Sequence, residues 1–149
     1  MKKFQIPKME ENSNLNRGEL FEKILNLEVN PNYVYKKDST PFWAGSDIPE
    51  LEASVKLVND CTLCKSPENL EEAVNYFINR DASRIYLLGF DMIDESNYHI
   101  LELDKLEMVD FLTKYGSIST ASAQKKHAKI LKIRLRSKKS QKLVWEKLG

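Results

Sequence analysis

The chain lacks the features that would place it in a membrane or in a secretory pathway. No apolar run among its 149 residues approaches the roughly 20 residues that are needed to cross a bilayer. The first residues, MKKFQIPK, contain no apolar core of the kind that a secretion signal requires. From these absences we expect a cytoplasmic protein that does not associate with membranes.

Cysteine and histidine are scarce, with two of each. Cys61 and Cys64 form a single CxxC motif, whereas a structural zinc site needs four ligands at suitable spacing. A redox CxxC is expected at the start of a helix that follows a strand, but this motif lies in or just after a predicted strand. The sequence therefore favours two ordinary buried or half-buried thiols and no small-molecule cofactor.

The composition is that of a globular domain, with 30% charged and 42% hydrophobic residues. The length fits one domain. Residues 1–15 are polar and show no period, so we expect a flexible arm there and a single domain over residues 16–149.

Charge is unevenly distributed along the chain, although the net charge is only +1. Ten of the 23 Lys and Arg residues lie within residues 125–149, together with only one of the 22 acids. A basic end on an acidic body indicates a polyanionic partner. The alternative is a basic tail that is merely solvated.

Hydrophobic periodicity and capping signals predict a mixed α/β protein. A helix should begin near Gly18, because Asn16 and Glu19 form an approximate capping box. The remaining elements are predicted from apolar runs, periodic faces and cap residues. They are strands over 47–57 and 57–64, a helix over 67–80 capped by Ser66, strands over 84–90 and 98–103, a helix capped by Asp104 and stopped by Gly116, a connection over 117–124, a strand over 132–136 and a helix capped by Ser137.

The most informative run extends from Asp47 to Lys56. Side chains alternate along a strand, so Glu52, Ser54 and Lys56 should project from one face. Asp47 precedes them at the mouth of a hairpin. This pattern indicates phosphodiester hydrolysis, which needs a cation at the phosphate, a positioned water and a donor for the developing charge.

The same run offers oxygen ligands for Mg²⁺, for which Mn²⁺ can substitute. The Asp47 carboxylate and the Val55 carbonyl are donors of the type that this hard ion requires. Glu22, on the first predicted helix, can reach the ion directly or through water. Lys56 can orient the attacking water and stabilise the pentavalent state.

The pattern Asp47-x₆-Ser54-x-Lys56 resembles the Asp-x₆-Glu-x-Lys run of PD-(D/E)xK nucleases. The run SDIPELEASVK is similar to DFPELGxELK in the MutH family of mismatch-repair nicking endonucleases and its related type II restriction enzymes. Gly18 and Glu22 occupy the place of the Gly-x-x-x-Glu helix that lies upstream in that family.

The element order over residues 16–115 also resembles the restriction-endonuclease-like core, a central mixed sheet flanked by helices. The resemblance implies a Mg²⁺-dependent DNA endonuclease, of the type II restriction kind. In-line attack by a metal-bound water would leave 5′-phosphate and 3′-hydroxyl ends. Cleavage of both strands of double-stranded DNA calls for a homodimer with one site per subunit, and a nicking monomer is the variant.

Ser54 departs from the family pattern, because a carboxylate is expected at this position. Three interpretations compete. Glu52 can act as the missing acid, Glu22 can substitute for it, or the site is inactive and the chain is a DNA-binding or regulatory protein of the same fold. The retained register of Asp47 and Lys56 favours an active site.

The basic segment over residues 116–149 then acquires a role in binding DNA phosphates. Such contacts position a duplex without reading its sequence. The candidate residues are Lys125, Lys126, Lys132, Arg134, Arg136, Lys138 and Lys139, with His127 and Lys142 beside them. Binding should weaken steeply with salt. The rival from another class is a protein–protein module whose basic tail contacts an acidic partner.

Overall fold

The computed structural model describes residues 1–9, 15–34, 46–59, 61–64, 67–120 and 129–148, without the side chains of 61–64 and 120. The thiols of Cys61 and Cys64 therefore lie outside the described part of the chain, as do Lys125, Lys126 and His127. In the described ranges, none of the helices is long and apolar enough to span a membrane.

The elements alternate between strands and helices, which confirms the mixed α/β class. In chain order they are β1 (Lys2–Pro7), α1 (Arg17–Val29), β2 (Ala53–Leu57), β3 (Cys61–Cys64), α2 (Leu70–Arg80), β4 (Ile85–Phe90), β5 (Asn97–Asp104), α3 (Lys105–Tyr115), β6 (Gly116–Thr120), β7 (Lys129–Ile133) and α4 (Lys138–Lys147).

A mixed sheet with the strand order β1-β5-β4-β2 forms the centre of the fold. β2 and β4 run parallel and are joined through α2, whereas the other two pairs are antiparallel. A second, antiparallel sheet has the order β3-β7-β6. β4 is covered on both faces of the sheet, and its sequence is accordingly the continuous apolar run from which the strand was predicted.

The two faces of the central sheet bury separate hydrophobic clusters. Tyr86 and Leu88 of β4 face the cluster formed with α2, α3, α4 and β7, whereas Leu87 faces the cluster formed with α1. Gly89 lets α1 approach closely, since a Cβ at this position would overlap the Phe21 ring. α1 is thereby held against the sheet.

The prediction of an arm over residues 1–15 is wrong for residues 2–7, which form β1 along β5. Only Ile6 of this strand is buried, so the sequence pattern carries almost no hydrophobic signal there. The strand is held by backbone pairing and by the Met1 amino group, which lies 2.8 Å from the Glu107 carboxylate.

The two strands predicted over 47–64 are shorter than expected and do not form a hairpin with each other. A 3₁₀ turn occupies Pro49–Leu51, and only Ala53–Leu57 is extended in the central sheet. Cys61–Cys64 pairs with β7 in the second sheet. The expected hairpin mouth is reduced to a bridge between Ile48 and Ala53.

Local capping signals place most helix starts correctly. The capping boxes at Asn16 and Asp104 are confirmed, and so is Ser137 as the cap of α4. The predicted cap of α2 is wrong, because the Asn69 side chain accepts the Glu72 N–H and caps the helix instead. Part of the predicted connection over 117–124 is a strand, since β6 pairs with β7.

Candidate functional site

The tight turn after Asp47 folds the chain back so that this carboxylate lies along β2. Ile48 and Ala53 exchange two backbone hydrogen bonds, of 3.0 and 3.2 Å, across the 3₁₀ turn. The Val55 N–H then donates to Asp47 Oδ2 at 2.7 Å. In a strand the N–H and C=O groups of one residue point to the same edge. The Val55 carbonyl therefore faces the same edge of β2 as the Asp47 carboxylate.

Glu52 does not share a face with Ser54 and Lys56, contrary to the prediction. Its backbone has φ 51°, in the left-handed region, so it ends the turn before the regular strand begins. Its carboxylate lies 2.7 Å from Arg84 Nε, and both side chains are exposed. The structure thus places Glu52 away from the other predicted site residues, in a surface ion pair.

α1 brings a second acid to Asp47. Asn26 is buried, and its amide donates both to the Glu22 carbonyl at 2.9 Å and to the Asp47 carbonyl at 3.1 Å. This bond fixes the helix to the turn. Glu22 also influences the pKa of the Asp47 carboxyl group, so the two side chains lie near each other. A cation bound between two neighbouring carboxylates relieves their repulsion.

Burial is the largest influence on Asp47 and raises the pKa of its carboxyl group. The nearby negative charge of Asp81 raises this pKa further, whereas the Val55 N–H, the Lys56 ammonium and the contact with Glu22 lower it. A raised pKa means that the ionised carboxylate is held at a free-energy cost in the folded protein. Sites that bind cations or perform acid–base chemistry characteristically hold such groups.

Lys56 reaches the same region from β2. An open groove of about 740 Å³ is lined by Glu22, Val55 and Lys56 together with the start of α1. The influence of Lys56 on the Asp47 pKa places the ammonium within electrostatic reach of the carboxylate. The structure thus brings together Asp47, Glu22, Val55 and Lys56, four of the predicted site residues.

Ser54 is bound to an acid that the sequence did not single out. Its hydroxyl donates to Asp81 Oδ2 at 2.7 Å and lies 2.8 Å from the hydroxyl of Ser83. Asp81 is the residue that ends α2, and β4 begins four residues later. A parallel β2-α2-β4 unit places the starts of both strands at one edge of the sheet, and this is the signal that would have pointed to Asp81.

Tyr33 is a second residue near the site that sequence reasoning missed. It follows α1 and has no regular structure. Burial raises the pKa of its phenol, and the negative charges of Glu22, Asp47 and Glu50 raise it further. The phenol therefore lies close to the carboxyl pair.

Part of the predicted basic surface is present and is concave. An open depression of about 440 Å³ is lined by three predicted residues, Lys132, Arg134 and Arg136, and by Ser137 and Ser140 at the start of α4. The first turn of α4 contains no acid, and its positive dipole end faces the same surface. Lys138 and Lys139 are exposed there.

The basic surface (Lys132, Arg134, Arg136, Lys138 and Lys139) and the open groove lined by Glu22, Val55 and Lys56, called the carboxylate groove below, border one shared cavity. Lys56 and Lys132 line the same small cavity, between apolar side chains of α2, α3 and β7. Cationic side chains thus continue from Lys56 through Lys132 to Arg134. Leu131, Ile133 and Leu135 alternate with them and are buried, which confirms the alternation of apolar and cationic residues. The strand itself is Lys129–Ile133 and not 132–136 as predicted.

The donor chemistry of the site suits Mg²⁺. Carboxylate and backbone carbonyl oxygens are the ligands that this ion prefers, usually with several waters retained. Across the residues described, no group of three or more His, Cys, Asp and Glu side chains is arranged to hold a metal ion. The fit therefore rests on the pair Asp47 and Glu22 with the Val55 carbonyl beside them.

Comparison with protein-family models, with curated proteins and with solved structures found no match for this chain. The functional argument consequently depends on the chemistry of the site.

Proposed function

We propose that this protein is a metal-dependent DNA endonuclease with a restriction-endonuclease-like core, of the type II restriction kind. The observation that carries the proposal is that the Asp47 carboxylate is held at 2.7 Å by the N–H of Val55, a residue that lines an open groove together with Glu22 and Lys56. The parallel β2-α2-β4 unit within a mixed sheet supports the fold part of the proposal.

Asp47, Glu22 and the Val55 carbonyl would hold Mg²⁺ or Mn²⁺. When bound, the ion supplies charge neutralisation at the phosphate and a water of lowered pKa. The Val55 N–H holds the Asp47 carboxylate in place at 2.7 Å, so its orientation is set by the backbone. The hydrogen bonds of Asn26 fix the distance between α1 and the turn and so hold Glu22 near Asp47.

Lys56 would act on the substrate directly. Its ammonium, at the border between the carboxylate groove and the basic surface, can donate hydrogen bonds to a phosphate oxygen or to the attacking water. Donors that are aimed at developing charge commonly contribute about 10²–10³-fold to a rate.

The cationic residues from Lys132 to Lys139 would bind the phosphates of double-stranded DNA. Their contacts would be made mainly to the backbone, so they would confer affinity and register rather than sequence preference. Cutting both strands would require a homodimer, and a monomer would nick.

The test is cleavage of supercoiled plasmid with Mg²⁺ or Mn²⁺, comparing the wild type with Asp47→Ala and Lys56→Ala. We expect cleavage by the wild type, its loss in EDTA, and a fall of at least about 100-fold in both variants while DNA retention persists. Glu52→Gln is the matched control, because Glu52 is an acid of the same run that lies in a surface ion pair; it should cut like the wild type.

Two outcomes would reject the enzyme. A wild type that retains plasmid but leaves it intact with either metal would favour the inactive DNA-binding protein, in keeping with the missing acid at Ser54. Failure to retain DNA even at low salt would favour a protein–protein module with a basic surface.

A further inference from the structure

Asp81 occupies an unusual place at the edge of the proposed active site. The Ser54 hydroxyl donates to Asp81 Oδ2 at 2.7 Å, and the Ser83 N–H donates to Asp81 Oδ1 at 2.8 Å. Ser54 and Asp81 are 27 residues apart, so the fold rather than local sequence brings them together.

The hydrogen bonds around Asp81 have only one consistent direction. An ionised carboxylate accepts and cannot donate, so the single proton of Ser54 is committed to Asp81. Ser83, whose oxygen lies 2.8 Å away, must then donate to Ser54. Ser46, at 3.0 Å from Ser83, must donate to Ser83 in turn. Three hydroxyls are thereby oriented towards Asp81, and such chains strengthen one another.

The hydrogen bonding of this region is incomplete within the described chain. Tyr86 lies opposite Ser54 in the β2–β4 register and therefore on the same face of the sheet. Its hydroxyl is fully buried and, among the residues that the structure describes, has no hydrogen-bond partner. Asp81 is within electrostatic reach of that hydroxyl. A buried donor without a partner is costly.

The negative charge of Asp81 also acts on the Asp47 carboxyl group, since it helps to raise the pKa of that group. Ser54 stands where the resembling nucleases carry an acid, and its hydroxyl leads directly to the Asp81 carboxylate.

We propose that Asp81, acting through the Ser54 hydroxyl, supplies the negative charge that the chain lacks at position 54, and that binding of a divalent cation by Asp47 and Glu22 depends on it. The proposal rests on the proposed function above. Asp81 is a positioning residue in this scheme and not a ligand. The dependence should resemble that of other outer-shell partners, whose loss costs about 10–100-fold in metal affinity or activity.

The test is Mn²⁺ binding by the full chain without DNA, measured by calorimetry or by the electron paramagnetic resonance signal of free Mn²⁺. Asp81→Ser should weaken binding by about 10–100-fold. Asp81→Asn keeps the size of the side chain but not its charge. Its oxygen can still accept the Ser83 N–H, and its amide can donate to the Ser54 hydroxyl in place of accepting from it, so it should show the same loss. A merely structural role would leave Asn close to the wild type.

The decisive experiment moves the carboxylate from position 81 to position 54. The double variant Ser54→Asp with Asp81→Ser restores one negative charge to the same place and should recover most of the lost affinity. Wild-type affinity in Asp81→Asn, or no recovery in the double variant, would overturn the proposal.

Asp47→Ala separates this proposal from the proposed function. If Asp47→Ala abolishes Mn²⁺ binding but Asp81→Asn does not weaken it, the metal site stands and the role of Asp81 falls. If the wild type binds no Mn²⁺, or Asp47→Ala binds it normally, both fall.

Discussion

Asp47→Asn should make the folded protein more stable while it removes a ligand of the proposed metal site. The Asn side chain has nearly the same shape, and its carbonyl can still accept the Val55 N–H that now lies 2.7 Å from Asp47 Oδ2. Its amide can donate to Glu22, so that a contact between two acids becomes a hydrogen bond to a carboxylate.

The magnitude follows from the exchange of these interactions. A hydrogen bond to a charged group contributes about 1.5–3 kcal/mol, whereas a neutral one contributes about 1 kcal/mol. The new bond to Glu22 gains the larger amount, and replacement of the charged acceptor at Val55 loses about 1 kcal/mol. We expect a net gain of about 0.5–2 kcal/mol in the free energy of unfolding. For a chain of this size that corresponds to a rise of roughly 2–6 °C in Tm.

The assay is thermal and urea denaturation at pH 7, first in EDTA and then in Mg²⁺. Metal at 100 times its Kd stabilises a protein by about 2.7 kcal/mol, so the wild type should gain roughly 8 °C and the variant almost nothing. Glu52→Gln, the exposed control, should stay within about 0.5 kcal/mol of the wild type in both buffers. A variant that is less stable than the wild type in EDTA, or that gains equally from Mg²⁺, would refute the reasoning.

Three further outcomes are expected. Gly89→Ala should destabilise the fold by about 1–3 kcal/mol, because its Cβ would meet the buried Phe21 ring, and the loss is measured by urea denaturation. Burial lowers the pKa of His99 despite the nearby Asp94, so the folded protein favours the neutral ring. The free energy of unfolding should therefore fall as the pH drops below about 6.5, the pKa of His in the unfolded chain. His99→Phe should flatten this pH dependence in denaturation curves measured from pH 7 to 5. Arg134→Ser should lower the slope of log affinity for DNA against log salt by about 1, as measured by fluorescence anisotropy.

Each of these expectations has a contrary result. An unchanged Gly89→Ala midpoint would show that α1 is not packed against the sheet as described. An acid loss of stability that persists in His99→Phe would assign it to other groups. An unchanged salt slope in Arg134→Ser would show that this guanidinium does not belong to the proposed DNA-binding surface.

Local signals predicted the helices well. The caps at Asn16, Asp104 and Ser137 each bond to a residue three positions further on, so both partners of each hydrogen bond lie within one short sequence pattern. β4 was equally readable, because a strand that is covered on both faces is apolar throughout.

Strands at the edges of sheets were predicted poorly for a physical reason. β1 buries only Ile6, and β6 lies in a stretch rich in Ser and Thr. Their existence depends on a partner strand that offers free backbone groups. The residues of β5 that pair with β1 are 90 to 100 positions away in the sequence, so no local pattern predicts the pairing.

The sequence by itself determined the chemical inventory of the candidate site. Asp47, Glu22 and Lys56 were identifiable because their residue types and spacing match the needs of phosphodiester chemistry. It also determined the alternation of apolar and cationic residues over 131–133, where the strand geometry of β7 turns a period of two into two faces.

Only the tertiary structure decided which acids meet. The left-handed backbone at Glu52 turned that carboxylate to solvent, and the parallel crossover through α2 brought Asp81 to Ser54. Both outcomes depend on contacts between segments that are distant along the chain, and electrostatic cost is set by that three-dimensional arrangement and not by spacing in the sequence.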